Sequence, residues 1–156
     1  MRETEQEWLK GRATLGAATK WTPEELRLVT ELGYGLAEQG RVAEAITLFE
    51  GLAALAPATV YFQAALGALW LRENSPAKAL ECLNQALKGD PKDIVSLVNR
   101  GEAHLRLGDK DAASRDFQVA LNFSNSNGKV VVNESVEAKS IIRARALLTS
   151  IEKQFV

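Results

Sequence analysis

The sequence has very few of the side chains that build metal sites, disulfides and most catalytic centres. Its 156 residues include one cysteine, Cys82, and one histidine, His104. A single cysteine cannot form an internal disulfide, and these two side chains are too few to supply the ligands of a structural zinc site. The sequence also lacks a glycine-rich phosphate-binding loop and a nucleophile–histidine motif. These absences argue against an enzyme, and we expect no cofactor and no metal.

A surplus of either charge is also missing, as is any long hydrophobic run. The 19 basic and 20 acidic side chains give a formal net charge of −1, whereas proteins that bind nucleic acid usually carry a basic surplus. No apolar run reaches the length of a membrane span, and residues 1–7 are too acidic for a secretory signal. We therefore predict a cytoplasmic protein with no nucleic-acid partner and no stable membrane insertion.

What the sequence does contain is a repeat. Three units of 34 residues begin at Leu26, Val60 and Ile94, and their register continues without a gap across 102 residues. Each unit shares a glycine, an alanine, a bulky apolar residue and a glycine or asparagine between its two halves. These columns are Gly33, Gly67 and Gly101; Ala45, Ala79 and Ala113; Phe49, Leu83 and Phe117; and Gly40, Asn74 and Gly108. The period and the columns resemble the tetratricopeptide repeat.

This resemblance implies an all-α fold of three helix–turn–helix units that form a short right-handed superhelix with a C-terminal capping helix. The predicted division is an N-terminal segment (1–25), the three repeats (26–59, 60–93 and 94–127), and a loop with the capping helix (128–156). Within the repeats we predict helices over 23–38, 42–55, 60–73, 76–88, 94–107 and 110–122.

Two further patterns mark where helices begin and end. Thr22 and Glu25 have the spacing of a capping box at the start of the first helix. Ser124 to Gly128 predicts a turn-rich break. Beyond it, residues 134–155 predict an amphipathic helix that covers the last repeat. Its apolar stripe consists of Val136, Ile141, Ala144, Leu148 and Ile151.

In tetratricopeptide superhelices the first helix of each unit lines an inner groove, and the resemblance transfers that role to particular positions here. The predicted groove residues are Arg27, Thr30, Tyr34 and Ala37; Tyr61, Ala64, Ala68 and Leu71; and Val95, Val98, Glu102 and Leu105. Small and apolar side chains predominate, which favours an extended peptide with hydrophobic anchors. The alternative is that the N-terminal segment of the chain covers some of these positions. An acidic peptide tail is disfavoured, because Asn99 is the only polar residue among the positions that would have to form a basic clamp.

The layout of the whole chain is similar to the class II chaperones of bacterial type III secretion. The segment Arg12-Ala13-Thr14-Leu15 precedes Trp21-Thr22-Pro23-Glu24-Glu25-Leu26, the first unit continues over 32–45, and a C-terminal helix follows the third unit. This resemblance implies a non-enzymatic cytoplasmic chaperone that holds hydrophobic segments of secreted translocator proteins in the groove. It also implies a homodimer, with Trp8, Leu9 and Leu15 at the interface. The alternative is a general repeat scaffold in another bacterial machine.

Overall fold

Seven α-helices make up most of the computed structural model, which describes residues 21–126 and 135–154. They are α1 (Pro23–Glu38), α2 (Val42–Leu55), α3 (Val60–Arg72), α4 (Pro76–Gly89), α5 (Ile94–Arg106), α6 (Lys110–Ser126) and α7 (Val136–Lys153). These ranges contain no β-strand, and no helix in them is long and apolar enough to cross a membrane. The all-α prediction is confirmed, and most predicted helix boundaries are met within about one residue.

The capping box at Thr22 and the glycine or asparagine column between the two helices of each unit act as the sequence predicted. At the start of α1 the Glu25 backbone N–H donates to the Thr22 hydroxyl at 3.2 Å, and the Thr22 N–H donates to the Glu25 carboxylate at 2.7 Å. Gly40, Asn74 and Gly108 have φ angles of 80°, 53° and 87°. Glycine adopts this left-handed conformation freely and asparagine tolerates it, so the column reverses the chain between the two helices of each unit.

The helices stack in chain order. Within the units α1 packs on α2, α3 on α4 and α5 on α6, while α3 and α5 also touch each other as first helices of neighbouring units. The bulky column residues Phe49, Leu83 and Phe117 are fully buried beside the glycine column. The core therefore runs along the stack as a series of packed layers rather than as one central cluster.

Helix α7 packs against both α5 and α6, in the place where a fourth unit would begin. It buries Ile141, Ala144 and Ile151 against the third repeat, and Leu148 is half-buried. Val136 departs from the prediction, because it is 68% exposed. It is the first residue of α7 and lies before the first turn that is packed.

Helix α6 continues to Ser126. The prediction of a turn-rich break from Ser124 was therefore wrong for residues 124–126, which are helical. Phe123 is half-buried against the cluster that joins the third repeat to α7, and the Ser126 hydroxyl donates to the Asn122 carbonyl at 2.8 Å. Packing of the last turn outweighs the weak helix propensity of its serines and asparagines. The rest of the predicted break lies outside the described residues.

Candidate functional site

An open depression of about 480 Å³ lies between α1 and the start of α3. It collects four of the predicted groove residues, Arg27, Thr30, Tyr34 and Tyr61, from two different repeats. The remaining lining residues are Pro23, Leu26, Glu31, Thr59 and Phe62. One face of α1, from Pro23 to Tyr34, thus meets the first turn of α3, and most of the surface between them is apolar.

Tyr34 and Tyr61 join the two sides of this depression. The Tyr61 hydroxyl donates a hydrogen bond to the Tyr34 oxygen, and the two ring centroids lie 6.2 Å apart in an edge-to-face arrangement. Tyr34 also packs edge-on against the buried ring of Phe49 at 5.2 Å. Burial raises the pKa of the Tyr34 phenol above its ordinary value. Tyr34 therefore keeps its own proton, which a peptide carbonyl could accept.

Two polar side chains of the depression, Arg27 and Thr30, are already engaged within α1. Arg27 forms ion pairs with Glu24 at 3.2 Å and with Glu31 at 2.9 Å. The Thr30 hydroxyl donates to the Leu26 carbonyl at 2.7 Å. The arginine charge is thus balanced within the helix. What the depression offers to a partner is mainly apolar surface and the two phenol groups.

Four further predicted residues are half-buried and continue the small, apolar character through the second and third repeats. They are Ala64, Ala68, Val95 and Leu105. Small side chains leave room for an approaching backbone, and partly exposed apolar groups favour contact with apolar side chains of a partner. These four positions, together with the depression between α1 and α3, form the candidate site.

Three predicted groove residues do not belong to it. Ala37 is 3% exposed, Leu71 is 5% exposed and Val98 is fully buried. Val98 packs in the cluster that also contains Ile141 and Ala144 of α7. The prediction placed these side chains on an open surface because the position in the repeat was considered alone. Contacts with the next helix in the stack bury them instead.

Glu102, another predicted groove residue, is held by two arginines. It pairs with Arg106 of its own helix and with Arg143 of α7, the latter at 3.4 Å. Arg143 also donates to the Asn99 amide oxygen at 2.6 Å. This cluster ties α7 to α5, so Glu102 has a structural role in the described residues. The arginine of α7 could not be assigned to it from the repeat pattern, since α7 lies outside the repeats.

Two arginines in the same column of the repeat, Arg72 and Arg106, link successive repeats. Arg72 donates to the Ala37 carbonyl at 2.8 Å, and Arg106 donates to the Leu71 carbonyl at 2.7 Å. In both cases the arginine lies 35 residues after the residue whose carbonyl it binds. These carbonyls lie in the last turn of a helix, where intrahelical partners run out. The shared column of Arg72 and Arg106 was visible in the sequence, but the bond to the preceding unit was not predicted.

Cys82 is not activated as a nucleophile, and the described residues contain no metal-binding cluster. Cys82 is half-buried, and burial, with Glu81 and Glu50 nearby, raises its pKa to about 11. The thiol is thus kept protonated and unreactive at neutral pH. Within residues 21–126 and 135–154, no group of acidic, histidine and cysteine side chains is arranged to hold a metal ion. The predicted interface residues Trp8, Leu9 and Leu15 lie outside the described residues.

Comparison with known proteins agrees with this architecture. Residues 30–94 and 71–127 each match the family model described as tetratricopeptide repeat. The chain is also 33% identical over 76 residues to a peptidyl-prolyl cis-trans isomerase of Bos taurus. That match covers 49% of this chain and only 15% of the bovine protein.

Three solved structures share the fold over most of their length. A type III secretion system complex from Aeromonas hydrophila has a TM-score of 0.80 at 19% identity, covering 98% of this chain and 97% of that one. PcrH, a protein of Pseudomonas aeruginosa, in complex with the chaperone binding region of PopD has a TM-score of 0.75 at 20% identity, with 87% and 97% covered. The chaperone SycD of Yersinia enterocolitica, in complex with a peptide of the translocator YopD, has a TM-score of 0.74 at 17% identity, with 86% and 98% covered. At these identities the likeness establishes a common fold.

Proposed function

This chain belongs to the tetratricopeptide repeat family, and from that membership and the geometry of its inner surface we propose that it is a type III secretion chaperone. It would hold extended hydrophobic segments of translocator proteins against the candidate site and keep them soluble before export. The proposal includes a cytoplasmic location in a bacterium and no catalytic activity of its own.

The observation that carries the proposal is the depression between α1 and α3. Arg27 and the Thr30 hydroxyl are engaged within α1, while Tyr34 and Tyr61 present ring edges and phenol oxygens. Apolar anchors of an extended peptide would contact the rings, and the peptide backbone would bond the hydroxyl groups. Such a surface suits a client whose exposed hydrophobic segments would otherwise aggregate. It offers little to a strongly acidic tail, because Arg72, Arg106 and Arg143 already bind partners within the chain.

Two solved relatives of the same fold support the choice of client. In these structures PcrH is bound to the chaperone binding region of PopD, and SycD is bound to a peptide of the translocator YopD. The competing proposal is a scaffold that joins folded components of another bacterial machine. The two differ in what happens to the partner when the chain is removed: a chaperone's client is lost from the soluble fraction, whereas a scaffold's partners remain soluble.

The test is therefore co-expression of the chain with a partner recovered from its native cells. Soluble partner is measured without the chain, with the wild-type chain, with Ala64→Glu in the candidate site, and with Ala43→Glu on the exposed face of α2. The chaperone proposal predicts that soluble partner falls with Ala64→Glu and is retained with Ala43→Glu. A partner that stays soluble in the absence of the chain would support the scaffold instead.

A further inference from the structure

Two arginines share one carboxylate at the end of the candidate site that the third repeat forms. Arg106 of α5 contacts one carboxylate oxygen of Glu102 at 2.5 Å, and Arg143 of α7 contacts the other at 3.4 Å. Among residues 21–126 and 135–154, the Glu102 side chain is the only carboxylate within ion-pair distance of either arginine. Two positive charges against one negative charge leave one positive charge without a partner. We call Arg106 and Arg143 the arginine pair.

A second bond to an uncharged oxygen holds each of these arginines in place. Arg106 donates to the Leu71 carbonyl at 2.7 Å, and Arg143 donates to the Asn99 amide oxygen at 2.6 Å. A guanidinium has five N–H donors, so the two contacts of each arginine leave three donors for another acceptor. The two side chains are 37% and 44% exposed. The arginine pair therefore presents a fixed positive charge that a partner can reach from solvent.

The arginine pair lies level with the apolar part of the candidate site. Glu102, which both arginines contact, occupies the same column of the repeat as Tyr34 and Ala68, which precede it by two units and one unit. Packed helices lie about 8–10 Å apart, so two units place the arginine pair roughly 20 Å from the depression between α1 and α3. An extended chain advances about 3.3 Å per residue, so about six residues of a bound peptide span this distance.

We propose that the arginine pair binds one acidic side chain of the client, about six residues along the chain from the hydrophobic anchors in the depression. This inference rests on the proposed function and adds a second contact to it. An aspartate or glutamate would accept charge-assisted hydrogen bonds from the unused guanidinium N–H groups. One carboxylate neutralises the surplus that Glu102 leaves, whereas a tail with several acidic residues would exceed it.

The two contacts together would also determine the direction of the client in the groove. Apolar surface and phenol groups lie at one end of the candidate site, and the surplus positive charge lies at the other. A segment with anchors and one acidic residue matches both ends in only one direction along the groove. Charge complementarity of this kind fixes the register of a complex.

The experiment measures binding of fluorescently labelled synthetic peptides to the full-length chain by anisotropy. Each peptide has leucine and proline anchors and blocked ends, with a glutamate about six residues before or about six residues after the anchors. Matched neutral peptides carry glutamine in place of the glutamate. We expect one of the two acidic peptides to bind the wild-type chain at least about threefold more tightly than its neutral counterpart, as for a partly exposed ion pair. Added salt should reduce this preference, because it screens exposed charges.

Two arginine variants of α7 separate binding from a structural role. Arg143→Gln leaves Arg106 matched by Glu102, so the preference for the acidic peptide should disappear. Arg145→Gln makes the same change in net charge at an exposed position two residues away, which at about 100° per residue lies on the other side of α7. That control should retain the preference. If Arg143 serves only to hold α7 in place, Arg143→Gln will weaken the acidic and neutral peptides equally, and the preference will remain; this result would overturn the proposal.

The wild-type chain alone distinguishes failure of this inference from failure of the proposed function. Equal affinity for the acidic and neutral peptides, in both placements of the glutamate, would overturn the inference and leave the hydrophobic client in place. A chain that binds none of the peptides would overturn the proposed function and this inference with it.

Discussion

Gly101 lies so close to the ring of Phe117 that a Cβ added at the glycine would stand 2.6 Å from the ring carbon Cε1. The same relationship recurs 34 residues earlier, where a Cβ on Gly67 would stand 2.4 Å from the side chain of Leu83. Real Cβ atoms do not approach other atoms this closely, so the ring or the helix would have to move. The glycine column therefore reflects the close approach of the two helices of each unit.

Replacing Gly101 by alanine should destabilise the protein. We expect Gly101→Ala to lower the free energy of unfolding by about 1–3 kcal/mol, because overpacking at a buried helix contact outweighs the gain in helix propensity. Urea denaturation followed by circular dichroism measures this difference. Gly51→Ala is the matched control: it is also helical, and an added Cβ there meets nothing within 4 Å. That variant should be neutral or more stable by about 0.5–1 kcal/mol. Equal losses in both variants would contradict the close-approach explanation.

The arginine that joins the second and third repeats should contribute measurably to stability. Arg106→Met keeps much of the aliphatic side chain but removes the hydrogen bond to the Leu71 carbonyl and the ion pair with Glu102. We expect a loss of about 1 kcal/mol in the free energy of unfolding, since a charged donor to a carbonyl contributes more than a neutral one but this one is partly solvated. Arg115→Met, at an exposed position of α6, should have a smaller effect. A loss for Arg115→Met as large as that for Arg106→Met would refute the assignment.

Val98 and Ala64 occupy the same column of the repeat but should respond in opposite ways to a charge. Val98 is fully buried, so Val98→Glu places an unpaired carboxylate in the core, and we expect loss of cooperative folding. Ala64 is half-buried, and Ala64→Glu should keep wild-type helicity because the carboxylate can reach solvent. Thermal melts of the two variants test the distinction. A folded Val98→Glu variant would show that the third repeat is more open than the structure has it.

The thiol of Cys82 should be slow to react. Burial and the neighbouring glutamates raise its pKa from an ordinary value of 9.0 to about 11. At pH 8 the thiolate fraction should be about a hundredfold below that of an unperturbed thiol, because each rise of one in the pKa lowers it about tenfold. The rate of alkylation by iodoacetamide should fall by the same factor. The rate measured in urea provides the control. Because the folded-state pKa is raised, the neutral thiol favours folding at low pH, and this stability is lost as the pH rises from about 9 through 11. Equal rates in the folded and unfolded chain would contradict the burial of the thiol.

The sequence predicted the local features well because they depend on nearby residues. The capping box of Thr22 and Glu25 and the reversals at Gly40 and Gly108 are determined within a few positions of the chain. The features that were missed depend on the next element in the stack. Val98 is buried by its packing in the cluster shared with α7, and Glu102 pairs with Arg143 of that helix, which is outside the repeat period.

The candidate site was predicted only in part for the same reason. A position in the repeat indicates which side of a helix a residue occupies, and it placed Tyr34 and Tyr61 together as the structure does. It does not indicate how closely the following helix approaches, and so it could not distinguish the half-buried Ala64 from the fully buried Val98.

The central claim is that the inner surface binds extended hydrophobic peptides, and fluorescence anisotropy with labelled peptides tests it most directly. The probe is a short extended peptide with leucine and proline anchors, and the comparison peptide has aspartate in place of those anchors. We predict that the wild-type chain and the Ala43→Glu variant bind the leucine–proline peptide with equal affinity. Ala64→Glu should lower the affinity for this peptide at least tenfold, and the aspartate peptide should bind to none of the three chains. Equal affinity of the wild-type and Ala64→Glu chains, or a preference for the aspartate peptide, would contradict the claim.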